Sequence, residues 1–157
     1  MLYRNLHKFL KSIPKNRCIM CLDMGEKRIG IAFSDKTQII ATARNVYYRK
    51  NISKDLGYLN RLFKENEAGS IVIGMPLEIK KTSQWCEIIM QFANKIIKKC
   101  ETNVYLQDES LSTSMATYTL KITGISITKS KKIDDKIAAC IILQRTLDKI
   151  NTISLNT

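Results

Sequence analysis

Histidine, proline and glycine are scarce in this chain. One histidine (His7), two prolines (Pro14 and Pro76) and six glycines are spread over 157 residues. Structural zinc needs four ligands, and beyond His7 the chain offers a single close pair of cysteines, Cys18 and Cys21, so a zinc fold is excluded. No linker rich in Pro, Gly or Ser divides the chain and no repeat appears, so one domain is expected, long enough to bury a core. No apolar run reaches the roughly 18 residues of a membrane-spanning helix. The five cysteines (18, 21, 86, 100 and 140) are odd in number and follow no disulfide framework. With no export signal they read as reduced thiols, and the expected location is cytoplasmic. Acidic residues are also few: 14 against 26 Lys and Arg, for a net charge of +12. A protein this basic is expected to meet a polyanion such as nucleic acid. Composition bias accounts for part of the excess, since 19 of the 26 basic residues are lysine.

Residues 1–16 carry no acid, and their apolar positions Leu2, Leu6, Phe9, Leu10 and Ile13 suit a short amphipathic helix, ended by Pro14, capping the domain as an extension. Residues 17–150 hold the domain, and 151–157 are left as a tail. CIMCLD (18–23), IGIAFS (29–34) and QIIATARNVYY (38–48) read as three strands at hairpin spacing. Ile52, Leu56, Leu59 and Phe63 mark a helix. SIVIGMP (70–76) and NVYLQDE (103–109) are strands, and 83–100, 111–122 and 132–150 are helices. A meander followed by β-α-β units predicts an α/β fold: a five-stranded mixed sheet, three antiparallel strands plus two parallel, with helices on both faces. Sites in such sheets lie beyond the carboxyl ends of the strands.

The stretch CIMCLDMGEKRIG (18–30) contains both a C-x-x-C pair and a lone acid. Side chains alternate along a strand, so Cys18 and Cys21 point to opposite faces and read as buried small hydrophobes rather than a metal pair. Asp23 closes the buried strand, where a carboxylate is costly unless it pairs or meets a cation. Asp108 and Glu109 end another strand, and their alternation lets at most one share a site with Asp23. Asp134 and Asp135 open the last helix, one as a candidate N-cap and the other facing the sheet. Three separated acids in a basic chain suggest a carboxylate cage for Mg²⁺ or Mn²⁺, ions that take oxygen ligands and substrate phosphates. Two such ions activate a water and stabilise the leaving oxygen of a phosphodiester. The run TKSKK (128–132), with Lys129, Lys131 and Lys132, precedes these acids and is placed to steer a phosphate backbone.

LDMGEKRIGIAFSD (22–35), IVIGMPLE (71–78), LQDESLST (106–113) and IDDKIAACIILQRTLD (133–148) together resemble the YqgF family. The resemblance implies a ribonuclease H-like fold and a nuclease of the Holliday junction resolvase or pre-16S rRNA type. It implies catalytic and metal-binding roles for Asp23, Glu109 and Asp135, and favours Lys27, Arg28, Gly30 and Asp35. Two positions depart from the pattern. Ser110 stands where the family has a basic residue, and Lys81 where it has glycine before the hydroxyl of Thr82.

The expected function is metal-dependent hydrolysis of structured nucleic acid, with 5′-end processing of pre-16S rRNA ahead of junction resolution. The partner is then precursor rRNA or branched DNA, and the protein a monomer or weak homodimer away from membranes. A non-catalytic RNA- or DNA-binding module would explain the charge but not the ordered acids. The D-x-G…G spacing of 23–30 also fits the first phosphate loop of actin-like kinases, but those chains are at least twice as long.

Overall fold

The computed structural model of the protein describes residues 1–76, 82–109 and 135–156. In strand β2 (Cys18–Met24) hydrophobic side chains leave both faces: Met20, Leu22 and Met24 enter one core, Ile19 and Cys21 the other. A strand apolar on both sides must lie in the middle of a sheet covered twice. It does: β2 pairs antiparallel with β3 (Arg28–Ser34) and parallel with β5 (Ala68–Pro76). The sheet continues through β4 (Ala41–Tyr48) beside β3 and β6 (Asn103–Glu109) beside β5.

Two helices cover one face. α2 (Ile52–Glu65) and α3 (Thr82–Cys100) bring Leu59, Leu62, Phe63, Ile89, Phe92 and Ile96 against Leu22, Ile31 and Ile73. α2 starts where the sequence pattern puts it because Asn51, in extended conformation, accepts a hydrogen bond from the Lys54 amide at 3.0 Å. α4 (Asp135–Leu155) covers the other face, with Ala139, Cys140, Ile142, Leu143, Leu147 and Ile150 against Ile19, Ala32 and Val72. The mixed sheet with helices on both faces is therefore as the sequence predicts.

Three features differ. The sheet has six strands, not five, in the order β1-β6-β5-β2-β3-β4. The added strand, β1 (Leu2–Tyr3), lies in the segment expected to be a helical extension and pairs parallel with Val104 and Tyr105. The open edge of β6 offers unpaired backbone groups, and the chain satisfies them before Asn5 caps the short helix α1 (Leu6–Leu10). β4 begins at Ala41 rather than 38, because Gln38 has φ 60° and residues 35–40 make a turn. α4 runs on to Leu155 through most of the expected tail. The helix expected at 111–122, Asp134, Ser110, Lys81 and the lysines of TKSKK lie outside the described residues.

No helix among the described residues is long and apolar enough to cross a membrane.

Candidate active site

Asp23 sits one residue before the end of β2, half-buried. It shares the parity of Ile19 and Cys21, so it belongs to the face that α4 covers. Its neighbour on β3 is Gly30. On the other side, the parallel pairing with β5 runs as far as Leu22↔Ile73, and Gly74 is the next residue of β5. Gly74 in turn pairs with Gln107 of β6. Asp23 thus has Gly30 as its partner on β3, with Gly74 the next residue along β5 on its other side.

Glu109 occupies the last position of β6, opposite Pro76. It has the parity of Tyr105, which belongs to the α4-side core, whereas Asp108 has the parity of Val104 and Leu106 on the other side and is exposed. Of the two acids, the register thus puts position 109 on the face of Asp23. It is two strands away, roughly 10 Å across the sheet.

Asp135 is the first residue of α4. The direction of that helix follows from its bonds to the β3–β4 side of the sheet. Cys140 donates to the Ala41 carbonyl at 3.4 Å, Gln144 to that of Ile39 at 2.9 Å, and Asn151 to that of Gln38 at 3.3 Å. Each step moves toward the β3–β4 turn, at the end of the sheet away from Asp23. The helix start at Asp135 therefore lies toward the carboxyl end of the strands. Thr146 ties the same helix to β6, its hydroxyl 3.3 Å from Gln107 Oε1. Backbone geometry thus gathers 23, 109 and 135 on one side and at one end of the sheet.

The turn between β2 and β3 closes the site on the third side. Gly25 donates to the Arg28 carbonyl at 2.8 Å, and a Cβ at position 25 would meet that oxygen at 2.5 Å, so only glycine fits. Lys27 and Arg28, both exposed, project from this turn two rows above Asp23.

Two residues that sequence reading missed hold the turn in place. The Arg49 amide donates to the Lys27 carbonyl at 2.9 Å and its guanidinium to the Gly25 carbonyl at 3.1 Å. The guanidinium also pairs with the carboxylate of Asp55 at 3.2 Å and lies 5.7 Å from the centre of the Phe92 ring. Asp55, 1 % exposed, accepts the Lys50 amide at 2.9 Å as well. Burial, with a hydrogen bond to Asp55, raises the Tyr47 phenol above its ordinary pKa. An acid in the first turn of a predicted helix was visible in the sequence, but its pairing with Arg49, six residues earlier, depends on the path of the turn between β4 and α2 and was not.

The cysteines behave as packing. Cys18 lies against the α2–α3 side and Cys21 in the α4 side, so the pair is split across the sheet. Burial pushes the Cys100 thiol up to about 11 and raises those of Cys18 and Cys140, keeping them protonated. Asp35 is also structural. It lies at the end of β3 remote from Asp23, where its carboxylate accepts the amides of Thr37, Ile39 and Ile40 and the Thr37 hydroxyl. Burial alone would raise its pKa, but the hydrogen bonds outweigh that and hold it below the ordinary carboxylate value.

All three expected site acids are oxygen donors, and among the described residues no group of three His, Cys, Asp or Glu side chains is gathered so as to hold a metal ion. An all-carboxylate set fits a hard divalent ion and not zinc.

Comparison with known proteins agrees with this architecture. Residues 17–149 match the family described as RuvX, Holliday junction resolvase. The chain is 76% identical over 154 residues to a protein of Wolbachia sp. subsp. Brugia malayi named "Putative pre-16S rRNA nuclease", covering 98% of this chain and 99% of that one. A protein of the same name from Wolbachia sp. subsp. Drosophila simulans is 77% identical over the same shares of the two chains. Among solved structures, RuvC from T. thermophilus in complex with a Holliday junction substrate superposes with a TM-score of 0.60 at 9% identity, covering 87% of this chain and 96% of that one. That likeness is one of fold.

Proposed function

Because this chain belongs to the RuvX family, the YqgF family its motifs resemble, we propose that it is a nuclease that hydrolyses phosphodiester bonds in structured nucleic acid with Mg²⁺ or Mn²⁺. The observation that carries this reading is Asp23, paired with Gly30, at the end of the sheet that also holds positions 109 and 135. Asp23, Glu109 and Asp135 would hold the metal. When bound, such ions lower the pKa of a water and stabilise developing charge on a leaving oxygen. The residues do the rest by position. β2, β6 and α4 are held to one another by the sheet and by Thr146, so the backbone positions that carry the three acids are fixed relative to one another. Lys27 and Arg28 sit where they would neutralise the phosphates flanking the cut, and Lys129, Lys131 and Lys132 would extend that basic track.

The proposed substrate is precursor 16S rRNA, the substrate that the names of the Wolbachia relatives give, with the cut at its 5′ end and the activity in the cytoplasm. The family description supports a second reading, cleavage of four-way DNA junctions. A metal-dependent assay with a labelled precursor rRNA fragment beside a labelled four-way junction separates the two. Cleavage of the rRNA fragment is expected, and preference for the junction would favour the second reading. Asp23→Asn should abolish cleavage and leave binding intact or tighter, since a ligand and a repulsive charge leave together. Full activity in that variant would remove Asp23 from the mechanism. Binding without cleavage in any divalent ion would reduce the protein to a binding module.

A further inference from the structure

Consecutive tyrosines at the end of β4 have opposite fates. Tyr47 stacks on Tyr58 of α2, ring centres 4.3 Å apart and planes within 16°, and packs against the core. Tyr48 faces the other way and is 67% exposed. Isolated exposed apolar residues are ordinary on protein surfaces, so exposure alone says little. Its surroundings say more. Tyr48 pairs directly with Arg28, and cross-strand partners share a face. Gly30, two residues along from Arg28, pairs with Asp23. Tyr48, Arg28 and Asp23 are therefore on one face at one end of the sheet, with Tyr48 about 12 Å from Asp23, backbone to backbone. Lys27, Arg28 and Lys50 around it are exposed and basic, with Glu26 the one acid of that turn. The ring is also held on a stiff support, because the next residue is Arg49, whose amide and guanidinium are both bonded to the turn and to buried Asp55.

We infer that Tyr48 is a stacking platform for an unpaired base of the substrate, a nucleotide or two from the phosphate that is cut. The inference rests on the nuclease reading of the site and specifies which nucleic acid that site prefers. A flat aromatic ring beside cations binds single strands through base stacking and backbone charge, whatever the sequence. A base inside a duplex has no free face to offer it. The geometry thus selects frayed, looped or single-stranded positions over continuous duplex.

The test is binding, measured in EDTA by fluorescence anisotropy with a labelled single-stranded RNA and with a blunt duplex of the same sequence. Tyr48→Ala should weaken single-strand binding by about 5- to 150-fold, the loss typical of one stacked base, and leave duplex binding unchanged. Tyr48→Phe should bind as the wild type does, because stacking needs the ring and not the hydroxyl. Unchanged single-strand binding in Tyr48→Ala, equal losses on both ligands, or a Phe variant as weak as the Ala variant would each overturn the platform while leaving the nuclease reading standing. A wild type that binds neither ligand would overturn the platform, while the metal-dependent cleavage assay decides the nuclease reading separately.

Discussion

Asp35 shows how one residue's role depends on where its strand ends. The motif marks it beside Ser34, yet it sits at the end of β3 away from Asp23 and clamps the turn that Gln144 of α4 also holds, through the Ala41 amide at 2.8 Å and the Ile39 carbonyl at 2.9 Å. Because the folded pKa is held below the ordinary value, its contribution to stability is present above the unfolded pKa of about 3.9. It is lost as pH falls through the folded value. Asp35→Ala should therefore lower stability at neutral pH and flatten the acid side of the stability profile. Urea melts at a series of pH values would show this, and parallel profiles for the two proteins would deny the clamp. Asp55 is a different case. It is deeply buried against Arg49, and its value lies in holding the turn beside the site.

Among the elements, the N-terminal pair β1 and α1 departs most from expectation. An amphipathic cap would contribute little, but Phe9 is fully buried and stacks on Tyr105 of β6, ring centres 5.2 Å apart and planes within 20°. Tyr105 precedes Gln107 and Glu109 on the same face. Truncating a buried Phe typically costs about 3–5 kcal/mol, so Phe9→Ala should destabilise the whole domain by that order in equilibrium unfolding. A loss well under 1 kcal/mol would mean that β1 and α1 form a detachable extension after all. The edge strand β4 carries a further device. A bulge at Arg44, where Ile31 pairs with Asn45 and Ala32 with Ala43, breaks the ladder. Bulges of this kind discourage edge-to-edge pairing and sharpen twist, and this one bends the segment that leads to Tyr48.

For the whole molecule, charge is the dominant quantity. A net +12 implies association with polyanions governed by salt. If Lys129, Lys131 and Lys132 neutralise substrate phosphates, replacing all three with Ala should weaken binding to every sequence. The slope of log affinity against log salt should fall by about 0.9 per lost contact on duplex DNA and about 0.7 on single strands. Metal binding should survive, since the carboxylates are untouched. An unchanged slope and affinity would move the phosphate contacts to Lys27, Arg28 and Lys50, around Tyr48.

Local pattern was enough to determine much of this protein. The alternation in CIMCLDM, the periodic apolar residues of α2 and α3, and the apolar run 137–143 specify a twice-covered mixed sheet, because periods of 2 and 3.6 are set by backbone geometry alone. The same alternation separates Cys18 from Cys21 and leaves Asp23 as the acid of that strand. Only tertiary structure decided the rest. Strand register chose position 109 over Asp108 for the face of Asp23, and set Gly30 beside it. It gave β6 its edge partner from residues 2 and 3, and it turned Tyr47 inward and Tyr48 out beside Arg28. These are pairings between residues far apart in the chain. They depend on which strands lie side by side and in what register, which the composition of a single strand does not encode.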